Sequence, residues 1–263
     1  MTYSIKMKTG YSKLDEMIND LGNAKLFIIA GRPTLGKTTL ALSIAKNVAV
    51  DQCIPTLYFS LEVPKRILID RLVSNLHELE SEKNRNKTYN EKEREIYETG
   101  VYQIKNSPLH IDDTPSFSIS AFISKVRQMV SDYGTKLVIV DYLQLMEHEG
   151  ESYFNKELTA IAHSMREVAI DLNITIIVCA MLPIKGEYGK RPSLSMLKKY
   201  YVDIDKEADI IACIHRPVFY RIVKPDDDME YGIAEIILAK NAFGIESNFM
   251  LQIRPQFSKF YDY

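Results

Sequence analysis

Nowhere in this chain of 263 residues do about 18 apolar residues run together, so no segment reads as a membrane-spanning helix. The first residues, Met1-Thr2-Tyr3-Ser4-Ile5-Lys6, also lack the apolar stretch of a secretory leader. Cysteine is scarce. Cys53, Cys179 and Cys213 are odd in number, show no C-x-x-C spacing and lie in apolar or strand-like surroundings. They are expected to be reduced core residues, which excludes a disulfide framework and makes the cytoplasm the expected compartment. Neither charge is in excess: 33 Lys and Arg face 35 Asp and Glu, a formal net charge of −2. That balance excludes a uniformly basic nucleic-acid coat while leaving room for a local basic face.

What the chain does have is an apolar run, Leu26-Phe27-Ile28-Ile29, then Ala30-Gly31-Arg32-Pro33-Thr34-Leu35-Gly36-Lys37-Thr38-Thr39, then Leu40-Ala41-Leu42-Ser43-Ile44-Ala45. The order is strand, glycine loop, helix. Gly31 and Gly36 bracket four residues and Lys37-Thr38 follow, completing the phosphate-loop pattern in its proper context. The glycines let successive N–H groups turn inward, and the helix starting near Lys37 adds the positive end of its dipole. The expected guest is a triphosphate, ATP with Mg²⁺. Lys37 would reach its β- and γ-phosphates, and the Thr38 hydroxyl would ligate the metal.

Length permits one large α/β domain, 1–263, with a lead-in over 1–24. After the loop, Ile54–Ser60 reads as a second strand ending in Ser60-Leu61-Glu62. Glu62 has two readings on spacing alone. It is either an exposed cap residue before Pro64 or the carboxylate that polarises an attacking water beside the γ-phosphate. Residues 78–106 are mixed in charge and poor in apolar side chains, which reads as a solvated helical insertion held by i,i+4 pairs. Strand and helix then alternate: strand 109–113, helix near 118–131, strand Lys136–Asp141, helix 155–172, strand 174–179 and strand 208–214. Such alternation makes a mainly parallel twisted sheet flanked by helices. Asp141 ends four consecutive aliphatics and is the expected second metal-side residue after Thr38. Toward the C-terminus, 218–223, 232–239 and 247–253 alternate like antiparallel strands, with Pro225-Asp226-Asp227-Asp228 as an acidic turn. Between them, 183–201 reads as a loop carrying Lys185, Lys190, Arg191, Lys198 and Lys199 among Tyr188, Tyr200 and Tyr201. It is either an ordinary surface loop or a track for a phosphodiester backbone.

These residues carry a resemblance. Thr9-Gly10-Tyr11 with Leu14-Asp15, Gly31-Arg32-Pro33 with Gly36-Lys37-Thr38, Phe59-Ser60-Leu61-Glu62 and Ile111-Asp112-Asp113-Thr114-Pro115 follow one another in order. Val140-Asp141-Tyr142-Leu143-Gln144-Leu145-Met146, Arg191-Pro192-Ser193-Leu194, Ala208-Asp209, Arg216 with Tyr220, and Ala234-Glu235 before Lys240 and Gly244 continue the series. The whole resembles the C-terminal, RecA-like motor domain of DnaB-type replicative DNA helicases. That resemblance implies a homo-oligomer, a hexameric ring with ATP between subunits and single-stranded DNA in the channel. It also implies Glu62 as the catalytic carboxylate beside Lys37, and Lys190, Arg191, Lys198 and Lys199 as DNA contacts. The phosphate-binding set would be Gly31, Arg32, Pro33, Thr34, Leu35, Gly36, Lys37, Thr38 and Thr39.

The sequence departs from the family pattern at four places. Lys240-Asn241-Ala242-Phe243-Gly244 keeps the family's Lys but has Ala242 where an Arg reaches the neighbouring subunit's ATP, so Lys240 is left to neutralise that charge. Ala180-Met181-Leu182 stands where a Gln senses the γ-phosphate, a bond that methionine cannot donate. Met196-Leu197-Lys198-Lys199-Tyr200-Tyr201 replaces a DNA-facing Asp-Leu-Arg-Glu-Ser-Gly. The family's N-terminal collar has no counterpart, so primase and loader contacts are not expected. The leading expectation is an ATP-driven helicase motor. The alternative is a RecA-like nucleotide-binding module with weak or no hydrolysis, acting as a regulatory or assembly partner; a recombination- or clock-type ATPase fits Asp-Tyr-Leu-Gln-Leu-Met less well.

Overall fold

A computed structural model describes residues 6–115, 117–147, 154–183, 189–220 and 232–263. In chain order its helices are α1 (Ser12–Ile18), α2 (Lys37–Lys46), α3 (Lys65–His77), α4 (Ser81–Asn86), α5 (Glu91–Asn106), α6 (Ile119–Tyr133), α7 (Phe154–Leu172), α8 (Leu194–Tyr200) and α9 (Ile204–Glu207). The strands are β1 (Leu26–Gly31), β2 (Thr56–Ser60), β3 (Leu109–Asp112), β4 (Phe117–Ser118), β5 (Leu137–Asp141), β6 (Met146–Glu147), β7 (Thr175–Met181), β8 (Ile210–His215), β9 (Ile233–Asn241), β10 (Asn248–Arg254) and β11 (Lys259–Asp262).

Among the described residues nine strands form one sheet in the order β11-β10-β9-β8-β1-β7-β5-β2-β3. From β8 to β3 the neighbours run parallel, and β9, β10 and β11 join antiparallel. Consecutive aliphatics suit such a sheet because both faces of a central parallel strand are covered. In β1, Phe27 and Ile29 enter one core, shared with Leu40 and Ile44 of α2, while Leu26, Ile28 and Ala30 enter the other, shared with Phe122 of α6 and Met165 of α7. The sheet is thus a shared wall between two apolar layers.

Several local expectations change. Cys179 and Cys213 are buried, but Cys53 is exposed in the connection before β2, where its φ is +54°. Burial there was inferred from apolar sequence neighbours, whereas the chain is reversing direction before β2. Residues 217–220 form a 3₁₀ turn rather than the start of a strand, and 221–231, including the acidic turn, lie outside the described residues. The segment 183–201 contains a helix, α8, capped by Ser193, whose hydroxyl accepts from Met196 N; Lys185 and Tyr188 lie outside the described residues. In 78–106 the ion pairs link elements instead of turns of one helix: Lys83 bonds Glu93 across α4 and α5, and Lys87 bonds Asp70 of α3. Asn84 is buried and donates to Asp70 O and Ser74 Oγ, so α4 is anchored on α3.

One surface contact gives a signed pH dependence. His163 of α7 lies 2.9 Å from Glu207 of α9, and that hydrogen bond, ahead of the carboxylate's charge, raises the imidazole above its usual 6.5. A raised folded value means the contribution is complete below the unfolded value and disappears as pH rises through the folded one. Because His163 is exposed, the contribution is about 0.5 kcal/mol or less. Thermal unfolding of His163→Gln against the parent is expected to show a small deficit at mildly acidic pH that vanishes in alkaline buffer.

Candidate functional site

The carboxyl ends of the parallel strands meet at one edge. Register places Gly31 of β1 beside Met181 of β7 and Ser60 of β2 beside Asp141 of β5, so the phosphate loop, Met181, Asp141 and the residues after Ser60 converge. This is where parallel α/β sheets bind ligands, since loops diverge there and helix N-termini point inward. A cleft of about 760 Å³ opens at that edge.

Its floor is the loop from Gly31 into α2. Gly36 caps α2 with φ +106°, a conformation glycine adopts without penalty, and Thr34 takes φ +66°. A side chain at Gly36 would also meet the Phe260 ring at 3.1 Å. Pro33, Thr34, Gly36, Lys37, Thr38 and Thr39 line the cleft. Of the remaining expected phosphate-site residues, Leu35 is buried in the core, Gly31 starts the loop, and Arg32 is buried with its guanidinium donating to Met196 Sδ at 3.7 Å. Lys37 is only 8% exposed and its ammonium donates to Arg32 O at 3.1 Å. Burial pulls its pKa down, and the nearby Cys179, Asp141 and Glu62 oppose that fall.

Asp141 is 4% exposed and accepts from the Tyr58 hydroxyl at 3.0 Å. Burial, reinforced by Asp141, holds the Tyr58 phenol and the Cys179 thiol well above their ordinary values, so both stay protonated beside it. Glu62 is exposed and lines the same cleft. Among the described residues no cluster of three His, Cys, Asp or Glu could cage a metal by itself. Mg²⁺ is ordinarily held through one or two protein oxygens with the remainder from phosphates and water. The Thr38 hydroxyl and Asp141 carboxylate, both on the cleft, fit that requirement.

The walls hold residues that pattern reading did not select. Arg66 and Arg71 come from α3, and Ser81, Glu82 and Arg85 from α4, while Ile253, Pro255 and Ser258 come from the end of β10 and the turn beyond it. Arg216, noted only as part of the resemblance, lines the cleft as well. Closeness in sequence to Glu62 was the one available signal for Arg66 and Arg71; nothing local marks the others.

The structure places the other expected residues outside the cleft. Lys240 sits on β9, where its ammonium donates to the carbonyls of Ala208, at 2.6 Å, and Asp205. Arg191 pairs with Glu235, with N–O separations of 2.7 to 3.1 Å, and this partner raises its pKa. Lys198 on α8 bonds Asp205 at 3.0 Å; Lys190 and Lys199 are exposed on the same segment.

Sheet order and site together define a RecA-like phosphate-loop domain. The family model described as the DnaB-like helicase C terminal domain matches residues 6–262, and the chain belongs to that family. A protein of Trieres chinensis described as a probable replicative DNA helicase is 33% identical over 98% of this chain and 57% of its own length. A solved ATPase domain superposes with a TM-score of 0.88 at 26% identity, over 98% of this chain and 91% of its own. A DnaB-like replicative helicase, solved in a study of its interactions with primase, gives 0.87 at 26% identity, over 98% and 62%. The chain spans about half the length of the curated relatives it matches. No described helix is long and apolar enough to cross a membrane.

Proposed function

We propose that this chain is an ATP-hydrolysing motor of a DnaB-type replicative helicase that works on single-stranded DNA in the cytoplasm as a homo-oligomer, a hexamer by family analogy. The observation that carries the reading is the convergence of Lys37, Thr38, Glu62 and Asp141 on one cleft at the carboxyl ends of parallel strands. The loop amides and Lys37 hold the β- and γ-phosphates. Thr38 and Asp141 supply the protein oxygens for Mg²⁺, which neutralises phosphate charge when bound. Exposed Glu62 accepts a proton from the attacking water as that water adds in line to the γ-phosphorus, while the bond from that phosphorus to the β–γ bridging oxygen breaks and the oxygen leaves on ADP. Lys198, Lys199, Lys190 and Arg191 contact backbone phosphates, and Arg191 does so only by sharing its guanidinium with Glu235. Lys240 serves a neighbour's nucleotide only by giving up two carbonyls of its own chain.

Two residues favour the second reading, a nucleotide-binding module that hydrolyses weakly. Ala242 is exposed beyond β9 at the family's arginine position, and Met181 lines the cleft where a γ-phosphate sensor is expected. Steady-state hydrolysis with and without single-stranded DNA separates the two. The motor reading predicts a rate raised several-fold by DNA, and Glu62→Gln is expected to lower it by about 10²-fold or more with nucleotide affinity retained. Nucleotide binding with no DNA-dependent turnover would establish the module instead.

A further inference from the structure

Met181 occupies the cleft with a side chain that cannot donate a hydrogen bond, yet its main chain is held unusually firmly. Its N–H donates to Gln144 Oε1 at 3.3 Å, and its carbonyl accepts from Gln144 Nε2 at 3.0 Å. The same carbonyl accepts from the Tyr201 hydroxyl at 2.6 Å, and Gln144 also bonds that hydroxyl. Next along the chain, Leu182 N donates to Gly31 O at 3.0 Å, which joins the segment to the first residue of the phosphate loop.

Tyr201 immediately follows α8, and its side chain is 1% exposed. Near the other end of α8, Met196 accepts the contact from Arg32 of the phosphate loop. The helix that carries Lys198 and Lys199 is therefore tied to the cleft at two points, one on each side of those lysines. Tyr201 is buried while its bonds to Met181 and Gln144 are part-buried, so water replaces a lost partner less readily there than at an open surface and a displacement of Met181 is passed toward Tyr201. Coupling of two sites requires such an element, one whose position both ligands bias.

We propose that Tyr201 is a positioning residue that couples the nucleotide cleft to α8 through the main chain of Met181, in place of a phosphate-sensing side chain. The inference rests on the motor reading, in which nucleotide occupies the cleft and α8 contacts DNA. Tyr201→Phe keeps the ring in its packing site and removes only the hydroxyl; the Met181 carbonyl retains Gln144.

The test measures the affinity of the full chain for a fluorescent oligothymidylate, with and without a non-hydrolysable Mg-ATP analogue, and that of the analogue alone. In the parent the analogue is expected to change DNA affinity by about 5-fold or more. Tyr201→Phe is expected to bring that ratio to about 1 while each ligand alone binds as in the parent, an effect that a merely structural role would not produce. Gln144→Leu is expected to act in the same direction. A parent ratio retained in Tyr201→Phe overturns the inference, as does a parent that binds both ligands without coupling. A parent that binds neither ligand overturns the motor reading and the inference together.

Discussion

Lys37→Ala is expected to bring ATP hydrolysis down by at least about 10²-fold and to weaken nucleotide binding, because it removes the cation of the phosphate loop that lines the cleft. Lys37 is nearly buried at the start of α2, so its charge acts where water screens it least. Burial disfavours the ammonium in the protein alone. A triphosphate beside it would favour the charged form, which makes part of its binding proton-linked. The fold gives Lys37 a single hydrogen bond among those described, to Arg32 O, so thermal unfolding of the variant should stay close to that of the parent. A parent-like rate in a well-folded variant would show that phosphates do not occupy this loop during turnover.

Phe59→Ala is expected to destabilise the domain by roughly 3–5 kcal/mol, the range for removing a fully enclosed aromatic ring. Phe59 is inaccessible to solvent on β2, with ring centroids 5.1 Å from Phe117 and 5.1 Å from Phe122. Its loss opens a cavity under α6, directly before the Ser60-Leu61-Glu62 segment that reaches the cleft. Denaturant titration should show a lower midpoint with an unchanged slope. A change within about 0.5 kcal/mol would mean that this core layer collapses around the gap.

Particular elements show what was legible beforehand. The strand read as Lys136–Asp141 forms over Leu137–Asp141, and the helix read over 155–172 forms over Phe154–Leu172. Both have strong local signals, four successive aliphatics in one and a sustained apolar stripe in the other. The phosphate loop was legible for a different reason: its glycines, lysine and threonine must be neighbours in sequence to work, so spacing alone carries the geometry. The helix α8 was hidden because seven residues show barely two turns of periodicity and three of them, Ser195, Lys198 and Lys199, are polar. Strand β11 was hidden because its partner, β10, and not its own alternation, holds it at the sheet edge.

The sequence by itself therefore determined the α/β class, the strand, glycine loop, helix order around residues 31–38 and the place of Asp141 at a strand end, since each is written in contiguous residues; Glu62 kept two readings on spacing alone. Only the tertiary structure decided which strand ends meet, that Arg66, Arg71 and Arg85 wall the cleft, and that Arg191 and Lys240 already hold partners in their own chain. Periodicity states which face of an element is apolar. It cannot state which faces meet, and the pairing of Arg191 with Glu235, 44 residues apart, depends on β9 running back beside β8.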